Sequence, residues 1–147
     1  VAEKKSSTVN RFKPVKEVSV MAWIENQFGD VLLLKQSQGN KFWTLPGGKV
    51  RMRESLVGAL KREVLEETSL KIQSIVLSHV FDRSPKGVLT FVFRARIKGR
   101  NDTVFPKLNE IETAKFSSTQ LQPASPSLRF FWKKMHRTEG DSQLRLN

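Results

Sequence analysis

The residues with the most chemical potential in this chain lie in one short stretch: Glu54, Arg62, Glu63, Glu66 and Glu67, between Gly48 and Leu70. On a helix, Glu63, Glu66 and Glu67 stand at i, i+3 and i+4, so three carboxylates crowd one face. Like charges at that spacing destabilise a helix unless something cationic binds them. Lys61 and Arg62 offset part of the repulsion. A hard divalent ion would offset more, because Mg²⁺ takes carboxylate, carbonyl and water oxygens. The plain alternative is a solvated acidic face. Two features weigh against it. The chain has 26 Lys and Arg against 14 Asp and Glu, so this concentration of glutamate runs against its background. A glycine pair, Gly47-Gly48, precedes the helix, where a backbone carbonyl can approach the same ion unhindered.

Composition removes most other chemistries. There is no cysteine, which excludes disulfides, thiolate metal sites and cysteine nucleophiles. His79 and His136 are the only histidines, so histidine-rich zinc sites are excluded too. Catalysis must rest on carboxylates, hydroxyls, backbone groups or a hard metal such as Mg²⁺ or Mn²⁺. The net charge of +12 and pI of about 10.4 predict attraction to polyanions, meaning nucleotides, nucleic acid or anionic lipid, without choosing among them. The longest strongly apolar run, Val31-Leu32-Leu33-Leu34, is far short of a bilayer span, and no membrane partner is expected. Residues 1–13 lack the apolar segment of a secretory signal, which points to the cytoplasm.

The elements that must position these residues follow from pattern. At 147 residues the chain fits one domain, read as a flexible leader at 1–13, a folded unit at 14–137 and a polar tail at 138–147. Val18, Val20, Ala22 and Ile24 alternate with Glu17, Ser19, Met21 and Trp23 as in a half-buried strand, and Val31 to Lys35 reads as a second. The Pro46-Gly47-Gly48 triplet argues against regular structure there. Ser55 is a candidate N-cap for a helix whose buried stripe is Leu56, Leu60 and Val64, widened by Val57, and which ends at Ser69 and Leu70. Strands are expected at 71–82 and 90–97 around an Arg83 to Gly87 turn, then a short one at Thr113 to Phe116. A last amphipathic helix runs from Pro126 through Met135. Strands and helices mix, so the sheet should contain both pairing senses.

The spacing Gly48, five residues, Glu54, seven residues, Arg62-Glu63-Val64, one residue, Glu66-Glu67, one residue, Ser69-Leu70 resembles the signature box of the Nudix hydrolases. Six of its seven fixed polar or glycine positions match, and the seventh has Ser69 where the family usually has glycine. The flanking Trp43-Thr44-Leu45-Pro46-Gly47-Gly48-Lys49 also resembles the family's approach to the box. The resemblance implies an α/β (α+β) Nudix fold, a mixed β-sheet sandwiched between α-helices. It implies metal-dependent hydrolysis of a nucleoside diphosphate linked to another group: a (d)NTP, an NDP-sugar or a dinucleoside polyphosphate. By position, it makes Glu63, Glu66, Glu67 and the Gly48 carbonyl metal ligands. Arg62 becomes the partner holding the carboxylates in register, and Glu54 a brace for the loop or a water-mediated contact. A late-loop glutamate six residues before an aromatic corresponds to Glu110, with Glu112 as rival, and Glu63 and Glu110 are the candidates for general base.

Further readings stand beside these. A left-handed serine at position 69 would cost about 1 kcal/mol, tolerable if the helix still ends there. Trp43, Phe42, Phe81 and Phe105 are candidates to stack on a base, Trp43 first because it borders the glycine loop, although aromatics in a sheet protein more often pack. In Phe130-Phe131-Trp132, at least one ring is expected to be exposed. The basic surface keeps RNA as an alternative partner, through 5′-end pyrophosphohydrolysis or a non-catalytic RNA-binding module, and a homodimer is an admissible assembly. An isomerase of prenyl diphosphates is a weaker option, because the related family relies on a cysteine.

Overall fold

The computed structural model describes residues 16–99 and 103–136; the leader expected at 1–13 and the tail at 138–147 lie outside them. Strands β1 (Glu17–Glu25), β2 (Val31–Gln36), β3 (Trp43–Thr44) and β4 (Gly47–Lys49) precede helix α1 (Leu56–Thr68). Strand β5 (Ile72–Arg83), a 3₁₀ turn at Ser84–Lys86, β6 (Val88–Ile97), β7 (Ile111–Ser117) and helix α2 (Pro126–His136) follow. The strands form one sheet in the order β3-β2-β1-β6-β5, with β4 also on β1 and β7 also on β2. β1 pairs in parallel with β6 and antiparallel with β2 and β4, so both pairing senses occur, as expected.

The helices cover opposite faces. On one, Ala59, Leu60 and Val64 of α1 pack with Val20, Ala22, Ile24, Leu32, Leu34 and Phe93. On the other, Leu128, Phe131 and Met135 of α2 pack with Trp23, Val31, Leu33, Trp43 and Val92. Val31 to Leu34 are therefore all buried, because successive side chains of a strand point to opposite faces and both faces are covered. Among the described residues, no helix is long and apolar enough to cross a membrane.

The ends of α1 behave as its sequence predicts. Ser55 Oγ accepts from the Gly58 N–H at 2.9 Å, and Ser69 adopts the left-handed conformation (φ 64°, ψ 11°) with its N–H bonded to the Leu65 carbonyl. Three expectations need correction. The glycine triplet does not break the sheet: Gly47–Lys49 pairs with β1, because glycine permits an approach that any side chain would block. Val57 does not widen the buried stripe; it is 39% exposed, on the side of α1 turned from the sheet. None of the three consecutive rings on α2 is exposed. Phe131 is fully buried and Phe130 and Trp132 half-buried, Phe130 packing edge-on against Phe81 with centroids 4.1 Å apart.

Candidate active site

α1 presents its carboxylates toward β4, and Arg62 organises them. Its guanidinium grips Glu54 with two bonds, Nε to Oε1 at 2.6 Å and Nη2 to Oε2 at 2.9 Å. Nη1 donates to Glu63 at 2.8 Å and to Glu66 at 3.4 Å, and Nη2 reaches the Lys49 carbonyl at 3.0 Å. A planar fork can serve several acceptors at once in a way an ammonium cannot. The Glu54 carboxyl is held down to about 2, first by the Arg62 hydrogen bonds and then by the Arg51 N–H. Those same Glu54 bonds, with Glu63 adding to them, push the guanidinium above its already high value.

Glu63 lies against Gly48: a Cβ there would sit 2.5 Å from the Glu63 carboxylate. Glu67 reaches further, its Oε2 accepting from the Gly47 N–H at 3.0 Å. Burial pushes the Glu67 carboxyl up to about 8 against the Gly47 hydrogen bond, and the charges of Glu63, Glu110 and Glu66 add to the rise. Glu110 arrives on the segment after Val104, which is tied to the end of α1. Phe105 N–H donates to the Thr68 carbonyl at 3.0 Å, Lys107 N–H to the Glu67 carbonyl at 3.2 Å, and the Ser69 hydroxyl to the Phe105 carbonyl at 3.2 Å. Ser69 thus fills the helix terminus and fastens the loop carrying Glu110.

Gly47, Gly48, Glu67 and Glu110 line one wall of a cleft of about 310 Å³. Glu63 and Glu66 stay beside it with Arg62, and the rival Glu112 pairs with Lys35 at 3.3 Å and does not line the cleft. The opposite lining was not read from the sequence: Gln36, Thr44, Arg83 and Ser127, with Ser19 and Thr90 joined hydroxyl to hydroxyl at 2.7 Å. Arg83 Nη1 donates to Ser127 Oγ at 3.3 Å, closing that side. These residues come from β1, β2, β3, β5, β6 and α2, and only sheet pairing brings them together; no local motif marks them.

Trp43 does not stand open for stacking on a base. It is 8% exposed, packed in the α2-side core, and Lys115 Nζ lies 5.5 Å from its ring centroid. Its backbone is also engaged, donating to the Pro123 carbonyl and accepting from the Ser125 N–H. Phe81 packs against Phe130 and Phe131, and Phe105 is exposed on the loop. Among the described residues, no aromatic ring lines the cleft.

The donors available at this wall are oxygens alone, which suits Mg²⁺ or Mn²⁺. Among the described residues, no three acidic or histidine groups converge closely enough to cage an ion as they stand. Arg62, Arg51, the Gly47 N–H and Lys107 are their partners instead.

The raised Glu67 has a consequence for stability. Its folded value of about 8 lies above the ordinary 4.5, so the folded state binds the proton more tightly. The resulting stabilisation is full below about pH 4.5, declines above it, and is lost once pH passes about 8. Melting of the metal-free protein should therefore fall between pH 5.5 and 8.5, and Glu67→Gln should flatten that decline. A wild-type melting temperature that rises across this window would refute the assignment.

The model of the NUDIX domain family matches residues 15–135. A MutT-like protein of Streptomyces ambofaciens is 30% identical over 86 residues, covering 58% of this chain and 55% of that protein. Human 8-oxo-dGDP phosphatase NUDT18 is 37% identical over 82 residues, covering 54% of this chain and 25% of that protein. The chain thus spans about half the length of the first relative and a quarter of the second. A crystal structure of a NUDIX hydrolase from Nitrosomonas europaea superposes with a TM-score of 0.72 at 25% identity, over 88% of this chain and 77% of that one. The mixed sheet between two helices is therefore a shared frame, and the carboxylates on α1 occupy the stretch where the resemblance first appeared. With the family model extending over nearly all of the described residues, that resemblance becomes membership: the chain belongs to the Nudix hydrolase family.

Proposed function

We propose that this chain is a divalent-metal-dependent hydrolase that cleaves the pyrophosphate linkage of a nucleotide-type substrate by attack of water at phosphorus. The observation that carries the reading is the cleft wall itself. Glu67, held on the Gly47 N–H, lines the same cleft as Gly48 and Glu110, with Glu63 and Glu66 beside it on α1. Glu63, Glu66, Glu67 and Glu110, with the Gly48 carbonyl, would hold the ion. When bound, it would neutralise phosphate oxygens and acidify a water. Arg62 keeps the helix carboxylates in register and Glu54 anchors Arg62. Of the two candidate bases, Glu110 lines the cleft and is paired with Lys107, whereas Glu63 lies beside the cleft and is paired with Arg62.

The far side of the cleft would receive the rest of the substrate through hydroxyls, amides and Arg83 rather than through ring stacking. The human relative's name, an 8-oxo-dGDP phosphatase, supports a nucleoside di- or triphosphate ahead of a nucleotide sugar. Neither the RNA nor the homodimer alternative gains support from the relatives, and neither is advanced. The test is a panel of nucleoside di- and triphosphates, nucleotide sugars and dinucleoside polyphosphates with phosphate detection. Activity on at least one should cease with EDTA and return with Mg²⁺. Turnover that persists in excess EDTA would overturn the metal-dependent reading.

A further inference from the structure

The loop that brings Glu110 to the cleft also brings a cation. Lys107 Nζ donates to Glu110 Oε1 at 2.8 Å. The Lys107 carbonyl accepts from the N–H groups of Glu110 and Ile111, at 3.0 and 2.8 Å, so the residue caps the turn that presents Glu110. Its own N–H donates to the Glu67 backbone carbonyl at 3.2 Å, which ties this turn to the end of α1.

Beside the looser Arg51–Glu66 pair at 3.7 Å, Arg62 and Lys107 both serve this wall, and they are held very differently. Arg62 is locked by bonds to Glu54, Glu63, Glu66 and the Lys49 carbonyl, and cannot leave without dismantling the loop. Lys107 is paired with the Glu110 carboxylate, sits on a flexible stem, and remains partly open to solvent. It can withdraw at little cost.

We propose that Lys107 is a resident counter-cation of the acidic cleft, a positioning residue whose ammonium holds Glu110 and is displaced when a divalent ion binds. The proposal rests on the metal-dependent reading above. It predicts competition: a positive charge at Lys107 opposes the incoming ion, so removing that charge strengthens metal binding.

The experiment is calorimetric titration of Mn²⁺ into the full chain, comparing wild type with Lys107→Gln and Lys107→Arg. Lys107→Gln should bind Mn²⁺ about three- to tenfold more tightly, with the gain shrinking as salt is raised. Lys107→Arg, which keeps the charge, should bind as wild type does. A merely structural lysine would leave Mn²⁺ affinity unchanged or weaken it on substitution. Wild-type binding with no gain in Lys107→Gln would overturn the role of Lys107 and leave the metal reading standing. No binding by any of the three proteins would overturn both.

Discussion

Glu67→Gln is expected to lower turnover by at least about a hundredfold while leaving the protein folded. Glutamine preserves the shape and can still accept from the Gly47 N–H, so the tie to β4 survives. What disappears is one negative charge from the group that would hold the ion. Weaker metal binding and a less acidic bound water both follow from that loss. The same change relieves a carboxylate that burial and three acidic neighbours disfavour. The metal-free variant should therefore melt no lower than wild type at pH 8, and could melt higher. Activity and melting temperature must be read together. A variant that stays active and melts lower would make Glu67 a structural acceptor for Gly47, and the catalytic reading of α1 would fail.

Gly47→Ala should produce the largest loss of stability. A Cβ at Gly47 would lie 2.1 Å from the Val20 carbonyl oxygen and 2.9 Å from the Met21 Cα, at φ +154°. Both obstacles are backbone atoms of the central strand, so neither can swing aside. Separating β4 from β1 to make room, together with the strained dihedral, should cost about 3–5 kcal/mol. For a chain of this size that corresponds to a drop in melting temperature on the order of 10 °C. Gly48→Ala is the informative contrast. Its Cβ would meet the Glu63 carboxylate at 2.5 Å, the far end of a flexible side chain. The fold can yield there by moving Glu63, so the damage should appear in activity and metal binding more than in melting. If Gly47→Ala melts within about 2 °C of wild type, the close β1–β4 approach is not a constraint on this fold.

Much of the frame was legible because local rules coincide with tertiary ones. α1 carries its own start at Ser55, its stripe at Leu60 and Val64, and its stop at Ser69, and each sits where those signals put it. β4 was not legible, since its glycines weaken any strand signal. Pairing there depends on what β1 tolerates across the gap, which no window around residue 47 contains. Trp43 illustrates a second limit: closeness to the glycine loop says nothing about the face of the sheet, and its face is the one α2 covers. The acidic wall was readable as a cluster because i, i+3 and i+4 are neighbours on a helix. Glu110 was reachable only through the family's spacing, since the bonds that bring it to α1 are between backbone groups of distant segments. The Ser19–Thr90 pair and Arg83 with Ser127 had no signal at all, because they meet through strand order and helix docking.

The parallel pairing of β1 with β6 gives the site a history as well as a shape. Ser19 and Thr90 touch across 71 residues of sequence, and that span contains β4 and all of α1. Closing so long a loop is entropically costly before the pairing rewards it. A chain that has left the ribosome only as far as Leu70 already carries every glutamate of the box, yet has neither β6 nor the segment bearing Glu110. During synthesis the acidic helix is thus made before the partners that complete its site, and the wall facing the cleft is whole only after β7 has emerged and joined the sheet beside β2.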